Sequence, residues 1–191
     1  MLTKREQRLK DEIAAIAKQS VMDHWNILDY DKDTRSTRLE LMKRDLINSQ
    51  IVGRYTYIDE LLSVIICHAY FQRPNEPFNF QRLWRTKKFR AFAHHFLDGV
   101  YLLNKMRLVN DLRVIPAELK NTIERLNALR NAVAHSFFPE NRYQYRKAKK
   151  VLYRGLDVFS LVGFGLLQQD CQLVIDYLFR RAFGFNLPEV L

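Results

Sequence analysis

From about Thr37 to Phe71 the chain places apolar residues at Leu39, Met42, Leu46, Ile58, Leu61, Leu62, Ile65 and Ile66, a spacing that predicts one long helix. An element of that length leaves few fold classes open. The β-branched cluster Val64, Ile65 and Ile66 suits a buried helix, though it is also where a strand could be misread. Six glycines and five prolines punctuate 191 residues, so few turns separate the elements. No segment alternates cleanly with a period of two. The chain is therefore expected to be all-α, a helical bundle of about five or six helices. The expected division is an N-terminal helical arm over residues 1–36 and the bundle over 37–191.

Residues 3–28 carry Ile13, Ile16, Ala17 and Val21 at helical spacing, and the segment "DYDKDTRST" then offers Asp and Thr as caps. "QRPNEPFNF" reads as a loop, and residues 80–108 as one or two helices. Pro116 stands where a first helical turn tolerates it. Leu119, Ile123, Leu126, Leu129 and Val133 then form one stripe, and "SFFPENRYQ" ends that helix. A last helix is expected from about Asp157 to Phe183. Gly163 and Gly165 lie within it without a preceding strand, so they are read as permitting close packing and not as a nucleotide fingerprint.

The balance of 31 basic against 21 acidic residues gives a net charge of +10, which favours RNA, DNA or an acidic protein as partner without choosing among them. Cys67 and Cys171 each lie in an apolar helical stretch and read as buried thiols of a reducing compartment. The N-terminus lacks the apolar core of a signal peptide, and "VFSLVGFGLL" is about half a membrane span. The expectation is a soluble cytoplasmic protein. His94 and Asp98 are spaced i and i+4 but lack a third ligand, so no metal site and no cofactor are expected. His24 and His68, among apolar neighbours, read as structural.

"LRNAVAHSFFPEN", Leu129 to Asn141, is the segment with chemistry in it. An Arg with His five positions later is a loose pattern, and "RAFAHH", Arg90 to His95, repeats it. Only the later copy has Asn beside its Arg, which lowers the chance expectation to roughly 0.03 matches. Asn131 and His135 share a helical face, whereas Arg130 and His135 are about 140° apart around an ideal axis. For one phosphate to meet both, either the helix unwinds near His135 or two copies of the helix meet across a two-fold axis. RNA cleavage without a metal needs a proton acceptor for the 2′-hydroxyl, a donor for the leaving oxygen and a cation for the phosphorane. His135 suits the proton transfers, Arg130 the phosphorane and Asn131 the orientation of either. Local physics offers a plainer role: His135 favours a helix C-terminus, Asn131 caps, and Arg130 pairs with Glu124 or Glu140.

"LRNAVAHS", late in a basic helical chain, resembles the HEPN superfamily, whose active members carry an Arg, usually a polar residue next, and His after four to six intervening residues. That resemblance puts Arg130, Asn131 and His135 in the catalytic positions. It implies a helical bundle that dimerises through the motif helix. It also implies metal-independent endoribonuclease activity, often in toxins or defence effectors opposed by a protein antitoxin. Members paired with a nucleotidyltransferase often have tyrosine two residues after the His, where this chain has Phe137. A weaker likeness, to the mannitol operon repressor family, implies a non-catalytic helical regulator that binds a protein partner. A DNA-binding regulator using the basic surface is a third reading.

The segment after the motif, Arg142 to Arg154, interleaves Arg142, Arg146, Lys147, Lys149, Lys150 and Arg154 with Tyr143, Tyr145 and Tyr153, a pattern suited to phosphates and unpaired bases, or equally to a solvated face over the core. "RLWRTKKFR", Arg82 to Arg90, is a second basic cluster. Asp59 or Glu60, on the long helix, could pair with Arg130 across the bundle.

Overall fold

The computed structural model describes residues 31–71, 80–141 and 150–183. The expected helix over 3–28 and most of the loop after Phe71 lie outside these residues. Six α-helices are described: α1 Lys32–Phe71, α2 Phe80–Trp84, α3 Lys87–His95, α4 Leu102–Leu112, α5 Ala117–His135 and α6 Leu161–Phe183. The fold is all-α, with one small hairpin, β1 Leu152–Tyr153 and β2 Leu156–Asp157.

By its packing the chain divides into Met1–Leu46 and Ile47–Leu191, a division that falls inside α1. In the first part, α1 starts five residues before the expected Thr37. Asp31 is its cap, accepting hydrogen bonds from the Thr34 backbone N–H at 3.0 Å and the Thr34 hydroxyl at 2.6 Å. Glu40 pairs with Lys43 at 2.7 Å one turn on, an exposed pair of little energetic weight.

In the second part, α1 contributes Ile51, Ile58, Leu62 and Ile66, all fully buried, at the spacing of a single stripe. Facing residues come from α4 (Leu102, Val109), α5 (Ile123, Leu126) and α6 (Cys171, Val174, Leu178). Each fully buried aliphatic side chain contributes about 1.5–3 kcal/mol. The expected Leu119 to Val133 stripe faces this core, with Leu119 at its edge. Val64, Ile65 and Ile66 are helical and buried, so their β-branching is outweighed by burial.

Residues 80–112 form three helices where one or two were expected. Thr86 divides the first two. Its hydroxyl donates to the Leu83 carbonyl at 2.8 Å and accepts from the Phe89 N–H, ending α2 and capping α3. A 3₁₀ turn at Leu97–Gly99 separates α3 from α4. Phe71, Trp84 and Phe92 gather around or beside Phe89 with ring centres 4.9–5.3 Å apart.

The last helix starts at Leu161, four residues later than expected. Asp157 accepts from the Phe159 N–H, and the Ser160 hydroxyl accepts from the Gly163 N–H at 3.0 Å, so Ser160 is the cap. The residues before it form the hairpin, whose turn places Arg154 at φ 49° and Gly155 at φ 84°. Two left-handed central residues match the right-handed twist of a hairpin. Glycine adopts that geometry freely, while arginine pays about 1–2 kcal/mol for it. Gly163 is where the helix meets the hairpin: a Cβ there would run into the Asp157 carbonyl. Gly165 has open space beside it, so the expected close packing holds for Gly163 alone.

Candidate functional site

The motif helix α5 is unbroken from Ala117 through His135, and Ser136 beyond it is extended. The helix does not unwind before His135, so Arg130 and His135 stay about 140° apart around one axis. Leu129, Ala132 and Val133 are buried and fix which face looks inward. Asn131, Ala134 and His135 are exposed, and Arg130 lies half-buried at the edge of the core.

Arg130 reaches back over α1. Its guanidinium carbon lies 4.9 Å from the centre of the Tyr55 ring, and its Nη1 donates to the Asn131 side-chain oxygen at 3.2 Å. A cation over an aromatic face is attracted by the ring quadrupole. Asn131 braces the Arg instead of capping the helix. Arg130 pairs with neither Glu124 nor Glu140, because it is turned toward Tyr55.

One turn beyond Tyr55, Asp59 accepts a 2.7 Å hydrogen bond from the ammonium of Lys105 on α4. Lys105 is 4% exposed, a charge held inside the bundle by that carboxylate. Burial raises the Tyr55 phenol above its ordinary value and Asp59 adds to the rise, while Arg130 and the Leu102 backbone oppose it. Two contacts thus lie one turn apart on α1: Arg130 of α5 over Tyr55, and Lys105 of α4 on Asp59. In place of the expected pairing of Asp59 or Glu60 with Arg130, Asp59 holds Lys105 and Arg130 lies over Tyr55. Glu60 is exposed.

Sequence reasoning missed Tyr55 and Lys105. For Lys105 a signal existed. Leu102, Lys105, Met106 and Val109 are spaced i, i+3, i+4, i+7, so the lysine occupies a core position of its helix and demands a buried counter-charge. Tyr55 had no such mark.

Of the basic, aromatic segment, Arg142, Tyr143, Tyr145, Arg146, Lys147 and Lys149 lie outside the described residues; Lys150 is exposed, Tyr153 is buried in the core, and Arg154 is exposed and paired with Asp170. Arg82, Arg85, Lys87, Lys88 and Arg90 are exposed around the buried Phe89. His94 Nδ1 and Asp98 Oδ2 are 4.0 Å apart, both well exposed, and among the described residues no cluster of three metal-ligating side chains occurs. Cys67 and Cys171 are buried free thiols, as expected. Among the described residues, no helix is long and apolar enough to cross a membrane.

No family model, curated protein or solved structure matches the chain.

Proposed function

We propose that the chain is a metal-independent endoribonuclease of the HEPN type, working as a homodimer through α5. The observation that carries this is the setting of Arg130. It is half-buried, stacked on Tyr55 and bridged to Asn131, next to a face that exposes Asn131 and His135. An arginine with few conformations left to lose is suited to clamp a phosphorane, whose charge it meets with parallel N–H donors. His135 is the proton-transfer group, and Asn131 orients Arg130. Because α5 stays helical, the Arg130 of one copy and the His135 of a second complete the site across a two-fold axis. The small exposed Ala128 and Ala134 on that face allow two such helices to approach closely. The basic segment 142–150 holds the RNA strand by its phosphates and bases. The protein acts in the cytoplasm, as a toxin or defence effector restrained by a protein partner.

Incubation of purified protein with RNA in EDTA at neutral pH tests this. Products ending in 2′,3′-cyclic phosphate and 5′-hydroxyl are expected, with at least ~100-fold loss in Arg130→Ala and His135→Ala. DNA, lacking the 2′-hydroxyl, should stay intact. Unchanged RNA, or cleavage equal in His135→Ala, overturns the proposal.

One observation favours a second reading. In a single chain, Arg130 and His135 occupy different flanks of a regular helix, so one copy alone has no assembled site. On that reading the same face of α5 docks a protein partner without catalysis, as a regulator of the mannitol-repressor kind would.

A further inference from the structure

Away from the motif residues, a cavity of about 230 Å³ opens between the first half of α5, the tip of the hairpin and α6. Glu118, Asn121 and Arg125 line it from α5, Arg154 from the turn, and Asp170 and Leu173 from α6. Their spacing along α5 (i, i+3, i+7) keeps the first three on one face. The cavity is separated from Asn131 and His135 along the helix: Arg125, its lining residue nearest to them, is six residues before Asn131, about 9 Å along the axis.

The charges in the cavity are not equivalent. Asp170 is spoken for: its Oδ2 accepts from the Tyr153 hydroxyl at 2.8 Å and from Arg154 Nη1 at 3.0 Å, and its Oδ1 accepts from the same Nη1 at 3.3 Å. That clamp fixes Arg154 at the cavity rim through one nitrogen, leaving Nε and Nη2 as donors. Arg125 has no hydrogen-bond or ion-pair partner among the described residues, and the Asn121 amide has none either. Asp170 raises the Arg154 pKa, and Glu118 adds to that rise from a distance. The turn supplies a second, independent observation. Position 154 has φ 49°, where Asn, Asp or Gly would sit without strain, yet it holds an arginine that adds a second guanidinium beside that of Arg125.

We propose that this cavity binds a small organic oxyanion, a phosphate or a carboxylate, seated between Arg125 and Arg154 with the Asn121 amide, its other end giving a hydrogen bond to Glu118. Two planar guanidinium groups and an amide match the flat or tetrahedral oxygens of such a group. Leu119 and Leu173 offer an apolar wall to the body of the molecule. The volume is below the roughly 300–1,000 Å³ of drug-sized sites, so the ligand is small. The inference does not depend on the nuclease function, and its test contains no RNA.

The test follows the arginine Nε–Hε resonances of the full chain during titration with inorganic phosphate and, separately, with acetate, at ionic strength held constant with chloride. Saturable shifts at Arg125 and Arg154 are expected in at least one arm, and the arm that saturates identifies phosphate or carboxylate as the ligand group. R125Q, a helix-compatible change at an exposed position, should weaken that binding roughly tenfold or more while leaving the far-UV circular dichroism unchanged. R90Q, which removes the same charge elsewhere, should leave it intact. Shifts that grow without saturating in both arms, equal binding by R125Q, or an equal loss in R90Q would each overturn the proposal.

Discussion

The guanidinium of Arg130 lies 4.9 Å from the centre of the Tyr55 ring, and this contact ties the motif helix to the longest helix of the bundle. Stacking and the Asn131 bridge together decide where that charge sits. On the proposed function, Tyr55→Phe keeps the ring face and should leave RNA cleavage within about threefold, whereas Tyr55→Ala should lower kcat/KM roughly tenfold or more. A ring-current shift of the Arg130 Nε–Hε resonance, kept in the first variant and lost in the second, checks the contact without recourse to activity.

Lys105 and Asp59 illustrate a buried charge that must be kept paired. Asp59→Asn leaves a 4%-exposed ammonium without its carboxylate. Because Asp59 is 28% exposed and water reaches it, the cost should fall near the lower end, about 2–3 kcal/mol. The double variant Lys105→Met with Asp59→Leu should recover most of that loss. Urea unfolding of the three proteins gives both values, with an unchanged m-value showing that the comparison is like for like.

Two glycines two residues apart in α6 should respond in opposite directions to alanine. Gly163→Ala drives a Cβ into the Asp157 carbonyl and should destabilise by about 1–3 kcal/mol, as the hairpin has to move. Gly165→Ala meets nothing within 4 Å and should stabilise by about 0.5–1 kcal/mol through helix propensity. Thermal unfolding of both variants beside the parent measures the difference.

Burial pushes the Cys67 thiol up from 9.0 to about 11 and the Cys171 thiol to about 12. Both thiols are neutral when folded and ionise more readily when unfolded, so the stability they contribute is fully present below pH 9. It is lost as pH rises from 9 through about 11 and then 12. The unfolding midpoint should accordingly be flat near pH 7–8 and fall above pH 9 by this term. Cys67→Ser and Cys171→Ser should shallow that alkaline fall. At pH 8 the native thiols should react with a thiol reagent at least ~100-fold more slowly than in urea.

The helical class was readable because apolar residues recur at helical spacing with few breakers between them, and the stripe from Ile123 to Val133 faces the core as its period requires. Boundaries were less readable. Thr86, an ordinary residue in a charged run, ends one helix and starts the next by bonding in both directions, where residues 80–108 were read as one or two helices. The hairpin was missed because each strand has two residues and its turn is Arg-Gly, not the Asn-Gly or Asp-Gly that marks such a turn in sequence. At the motif, Arg130, Asn131 and His135 were singled out by residue type and spacing. Their surroundings were not legible, because Tyr55 comes from a helix distant in the chain and meets Arg130 only after packing, as Lys105 meets Asp59. The correct expectation there was angular: an intact helix holds Arg130 and His135 apart, whatever the chemistry.

Arg54 of α1 donates to Gln168 at 2.8 Å and to Gln172 at 3.1 Å on α6, joining positions 114 and 118 residues apart. During synthesis, α1 emerges more than a hundred residues before the helix that completes its cover. At roughly 5–20 residues per second, its apolar stripe waits several seconds or longer for α6. Throughout that interval the inner face of α1 lacks the cover that α6 supplies, and these two long-range hydrogen bonds form only once α6 arrives.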